Sequence, residues 1–138
     1  MIQLRLFGGL DLRDEEGAEL RTVLAQPKRV ALLAYLAIET SDGFCRRDQL
    51  FALFWPEFDA GRARLALRQA LHFLRRTVGT AAILSRGDDE VGLASTAIWS
   101  DVVAFRTALE RGEFASALEL YRGDLLPGFF IADASPDF

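Results

Sequence analysis

The sequence is poor in the residues that staple or catalyse: it holds one cysteine and one histidine in 138 residues. A lone Cys45 has no partner for an internal disulfide, and one cysteine with one histidine falls short of a zinc ligand set. No apolar run reaches the roughly 18–20 residues that cross a bilayer as a helix. The start, MIQLRLFGGLDLRD, lacks the basic flank and long apolar stretch of a secretory signal. No Gly-x-x-x-x-Gly-Lys occurs, and Gly8-Gly9 leads into no phosphate-loop pattern. These absences predict a soluble, cytoplasmic protein with no metal, no other cofactor and no membrane partner.

What is present is apolar material and a sorted charge. The composition is 51% hydrophobic and 26% charged, which suits a packed core and not a disordered chain. The length fits one domain, or a small domain with the beginning of a second. The net charge of −4 is unevenly placed: Lys28 to Arg86 carries ten basic residues against five acidic, and the remainder six against fifteen. A pI near 5.0 therefore hides a segment able to hold an anion.

Along the chain, Ile2, Leu4 and Leu6, then Leu10 and Leu12, alternate with other residues at the period of a half-buried strand. RDEEGAEL reads as a polar turn with a short return strand through Leu20, giving a small antiparallel sheet. From Pro27 the period becomes helical through Val30, Leu33, Leu36 and Ala37, and SDGF ends the helix. CRRDQLFALF makes a second helix that Pro56 stops, with Cys45 at its N-terminal edge. Asp59 suits the N-cap of a third, longer helix ending near Gly79. TAAILS and EVGLAST flank RGDD as a β-hairpin. Phe105 and Leu109, then Phe114, Leu118 and Tyr121, form a helix hairpin split by Gly112. Beyond it, Phe129 and Phe130 lie where further chain would cover them; left exposed they would favour self-association.

The third helix carries the chemistry. GRARLALRQALHFLRR contains five arginines, one histidine and no acid. At about 100° per residue, Ala63, Leu67, Ala70, Leu71, Leu74 and Val78 share one face. Arg62, Arg64, Arg68, Gln69, His72 and Arg76 fan across the other, with Leu65 among them, Phe73 at the fan's edge and Arg75 at the apolar border. A merely solvated face mixes signs, because acid–base pairs three or four apart stabilise a helix by about 0.2–0.5 kcal/mol each. An all-arginine face forgoes that, and its planar guanidinium forks match phosphate oxygens and guanine edges. Gln69 suits adenine, and Leu65 or Phe73 a thymine methyl.

The remaining candidates read more simply as structure. Cys45 beside Arg46 and Arg47 has the makings of a lowered thiol pKa, but equally fills a small capping position. His72 has no serine, cysteine or carboxylate placed to pair with it. The acids at 57–59 and 88–90 read as caps and solvated loop. No enzymatic constellation results, so a non-enzyme is expected.

The ordered series of elements resembles bacterial transcriptional regulators of the antibiotic-regulatory-protein type. These join an OmpR/PhoB-like winged helix to a bacterial transcriptional activator domain. The residues that carry the likeness are LRLFGGLDLRD, PKRVALLAYLAI, CRRDQLFALFWPE, ALRQALHFLRRTVG, DVVAFRTAL and ALELYRGDLLPGF. The resemblance implies an α+β fold: a winged helix-turn-helix at 1–97 with an N-terminal antiparallel β-sheet and a C-terminal β-hairpin wing. An α-helical hairpin at 98–138 would open a TPR-like activator domain whose further helices lie beyond Phe138. It implies sequence-specific binding of double-stranded DNA, with the third helix in the major groove and transcription activation as the outcome. Arg68, Gln69, His72, Phe73 and Arg76 would face the groove. Arg62, Arg64 and Arg75 would hold phosphates, Arg46 and Arg47 would sit near the backbone as they open the second helix, and Arg86 would serve the wing. RNA polymerase, and a second copy through the helical tail, would be the protein partners. Two departures stand out: Phe73 occupies a place often polar or basic, and the wing is acidic apart from Arg86. A protein-interaction module using the helical tail, without DNA binding, is the competing expectation.

Overall fold

The computed structural model describes residues 1–40, 43–94, 96–121 and 123. Among these the chain forms six helices and two three-stranded sheets, an α+β fold. Strands β1 (Ile2–Arg5) and β2 (Asp11–Arg13) pair antiparallel with Leu4 opposite Leu12, so the alternating apolar residues turn inward. The expected return strand through Leu20 shrinks to one bridge, Arg13 with Glu19, and helix α1 (Arg21–Leu24) follows. Four residues are too few for a helical period to show in sequence.

Helix α2 (Pro27–Glu39) starts with Pro27 at a position where its missing N–H costs no bond. It buries Val30 to Ala34, Leu36 and Ala37, because four other helices together with β5 and a later strand pack around it. Helix α3 (Arg47–Phe54) and helix α4 (Ala60–Val78) follow, separated by residues 55–59, which include Pro56. Asp59 caps α4 as expected, its carboxylate accepting the Arg62 N–H at 2.8 Å. All six residues assigned to the inner face of α4 are buried.

The hairpin of β4 (Ile83–Arg86) and β5 (Glu90–Leu93) forms in register, Ser85 opposite Val91 and Arg86 opposite Glu90. Cys45 and Arg46 form strand β3 (Cys45–Arg46) against β5, with Arg46 also at the N-cap of α3, which Arg47 begins. A two-residue strand has no alternation of its own, and its partner lies far along the chain. Gly92 is required where β5 passes this segment, since an added Cβ would stand 2.6 Å from the Gly43 carbonyl oxygen.

Strand β6 (Ile98–Ser100) corrects the purely antiparallel N-terminal sheet: it pairs parallel with β1, Ile2 opposite Ile98, and makes the sheet mixed. A parallel partner almost a hundred residues away leaves no local pattern to read. Helix α5 (Asp101–Glu110) then ends in a Schellman turn. Gly112 takes φ +71° and donates to the Leu109 carbonyl at 3.1 Å, and Glu113 donates to that of Ala108 at 2.8 Å. Helix α6 (Phe114–Leu120) returns along α5. Asp101, fully buried, accepts the Leu6 N–H at 2.9 Å and that of Phe7 at 3.1 Å, fastening α5 to the end of β1. One apolar core runs from Ile2 to Val102, so residues 98–102 share the core of the segment before them. Residues 41 and 42 of the expected helix stop, and Phe129 and Phe130, lie outside the described residues.

Candidate nucleic-acid interface

Helix α4 owes its orientation to its buried side. Leu67, Leu71 and Leu74 are all but inaccessible, so rotation about the helix axis is fixed and the opposite face must meet solvent. Arg62, Arg64, Leu65, Arg68, Gln69, His72 and Arg76 are exposed there, while Arg75 and Phe73 are half-buried. Among the described residues none of the five arginines of α4 is ion-paired. Leu65 is 51% exposed in the middle of this fan, where no folding argument calls for an apolar side chain.

One flank of α4 closes on α3 and the hairpin. Arg47, Arg64, Arg68 and Arg75 line a cleft of about 460 Å³ there, together with Asp48, Asp88 and Asp89. The hydroxyl of Ser85 accepts hydrogen bonds from Arg75 at 3.1 Å and Arg47 at 3.4 Å, drawing the two guanidinium groups together. The Arg47 backbone N–H donates to the Asp89 carbonyl at 2.8 Å, locking the hairpin turn against the start of α3. Burial, reinforced by Arg75 and Arg68, pushes the Arg47 pKa below its ordinary value, while Asp88 and Asp89 act against that shift. The buried Nε of Arg47 has no hydrogen-bond partner among the described residues. The cleft is thus a place where cations crowd, and an anion relieves them.

The other flank faces the start of α2. Gln69 and Ala66 line a smaller cleft with Gln26, Lys28, Arg29 and Trp55. Here aromatic rings hold the cations: Arg29 lies 4.8 Å from the ring centre of Phe73, and Arg62 lies 4.2 Å from that of Phe58. Phe73, expected to face a groove, packs against the core from one side and carries Arg29 over its ring. Lys28 and Arg29 were missed in sequence. Their local signal was the placement of two cations in the first turn of a helix, where the dipole disfavours them.

The outlying candidates separate. Arg86 is engaged by Glu90 through two hydrogen bonds of 2.9 and 2.8 Å, and its guanidinium carbon lies 4.4 Å from the Phe44 ring centre. Arg46 is exposed and pairs with Asp48 at 3.5 Å. Cys45 is buried on β3, and burial pushes its thiol pKa up, the opposite of an activated thiol. Among the described residues no helix is long and apolar enough to cross a membrane, and no cluster of His, Cys, Asp or Glu is set to hold a metal ion. No protein-family model and no curated protein matches the chain.

Proposed function

We propose that the chain is a sequence-specific DNA-binding transcriptional regulator of winged helix-turn-helix type. In this reading α3 and α4 are the helix-turn-helix, α4 enters the major groove, and the β4–β5 hairpin is the wing. The observation that carries it is the solvent face of α4: arginines with no ion pair among the described residues, interleaved with Gln69, His72 and Leu65, on a helix held rigidly by its buried side. Arginine forks and a histidine at that pitch reach base edges in the groove, while the flanking arginines reach phosphates. The likeness to activator-domain regulators adds transcription activation, RNA polymerase as the downstream partner and a cytoplasmic setting.

The test is fluorescence anisotropy of a labelled random-sequence duplex, titrated with the chain from low to moderate salt. Capture of about 4–6 phosphates predicts a steep loss of affinity with salt. The Arg68→Ala/Arg76→Ala pair is expected to abolish binding while leaving the thermal midpoint unchanged, because both side chains are exposed. Full binding by this double variant would refute α4 as the groove helix.

A second surface supports the protein-interaction reading beside the first. Leu109, Phe114, Leu118 and Tyr121 are exposed on α5, α6 and just beyond, with Leu118 at 73% and Phe114 at 64%. Apolar exposure of this kind suits a second copy or another protein.

A further inference from the structure

The acid-free face of α4 faces acids that other elements bring to it. Asp88 and Asp89 sit in the turn of the β4–β5 hairpin, and both line the cleft formed by Arg47, Arg64, Arg68 and Arg75. Neither carboxylate makes an ion pair or accepts a side-chain or backbone hydrogen bond among the described residues. The turn is held instead by its backbone, through the Arg47 N–H on the Asp89 carbonyl. The two charges therefore act on the arginines through space, as their opposing effect on Arg47 shows. A turn tied down by main chain has no structural need for two acids, and asparagine would serve the same conformation.

We infer that Asp88 and Asp89 are built-in phosphate mimics, which occupy electrostatically the place of a DNA phosphate between the four arginines and so weaken binding to any duplex regardless of sequence. This rests on the DNA-binding reading above and names a regulator of the same site. A phosphate entering the cleft must displace the influence of two carboxylates, so its net gain is small. Contacts made by Arg76, His72 and Gln69 at the groove are then left to decide where the protein stays. A regulator relieved of the mimics would linger on non-specific DNA.

The experiment compares the intact chain with Asp88→Asn/Asp89→Asn and with Glu110→Gln/Glu119→Gln. The second pair removes the same net charge from α5 and α6, outside the cleft. On a labelled random duplex at low salt, D88N/D89N is expected to bind about fivefold to twentyfold tighter, the gain fading as the Debye length shrinks. E110Q/E119Q is expected to change affinity less than twofold. A DNA-free readout accompanies this: the rise in thermal midpoint with sodium sulfate over sodium chloride at matched ionic strength, larger for D88N/D89N than for the intact chain. Equal affinities for D88N/D89N and the intact chain, or equal gains in both charge variants, would overturn the inference while leaving DNA binding intact. Absence of duplex binding by every variant would overturn the DNA reading, and the sulfate comparison would still decide whether the mimics screen the cleft.

Discussion

The two flanks of α4 hold their cations by different means. Towards the hairpin, Arg64, Arg68 and Arg75 share a cleft with Arg47 and with three carboxylates, Asp48, Asp88 and Asp89. Towards α2, Arg29 and Arg62 lie over the rings of Phe73 and Phe58. A ring orients a guanidinium and leaves its charge whole, whereas a nearby carboxylate subtracts from the field that a phosphate would feel. One helix with an acid-free face thus presents a discounted side and a full-strength side.

The largest effect is expected where the comparison itself can be broken. Leu67 is fully buried on the inner face of α4 and, with Leu71 and Leu74, decides which residues fall on which flank. Leu67→Ala should cost about 2–5 kcal/mol of stability, read from urea unfolding. A cost below 1 kcal/mol would mean that the helix is not pinned and that the two flanks are not distinct surfaces.

A smaller effect sharpens the contrast. Arg62 stands on the α2 side and Arg64 on the hairpin side, two residues apart and both exposed. Arg62→Ala should lower affinity for a random duplex by roughly tenfold and Arg64→Ala by only about threefold, since a charge already offset by acids contributes less to counterion release. Anisotropy titrations at one low salt concentration measure both. The reverse order would show that the hairpin acids do not screen their flank.

The smallest effect concerns the hairpin rim. The Arg86 guanidinium holds the Glu90 carboxyl below the usual carboxylate range. A group whose pKa falls on folding adds stability above its unfolded value and loses that contribution as pH drops through its folded value. Acidification below the ordinary carboxylate range should therefore remove a slight stabilisation that Glu90→Gln lacks at every pH. Arg86 is exposed and Glu90 half-buried at the surface, so the change is small and strongest at low salt. Identical pH profiles for the intact chain and Glu90→Gln would show that the pair adds nothing to folding.

The sequence by itself determined the longer helices and their faces, but not the four-residue α1. Period, caps and breakers are local, so Pro27, Asp59, Pro56 and Gly112 mark their boundaries without help from the rest of the chain. The inner face of α4 was legible to the last residue for the same reason, as was the β4–β5 hairpin. Only the tertiary structure decided that Cys45 and Arg46 form a strand, and that β6 lies parallel to β1. Each of those pairings joins segments distant in sequence and too short to carry a pattern. It alone brought Arg29 over Phe73, and set Asp88 and Asp89 against the arginines of α4. Coulomb energy depends on distance in space, so a face without an acid in its own segment gains its counter-charges only when the hairpin folds onto it.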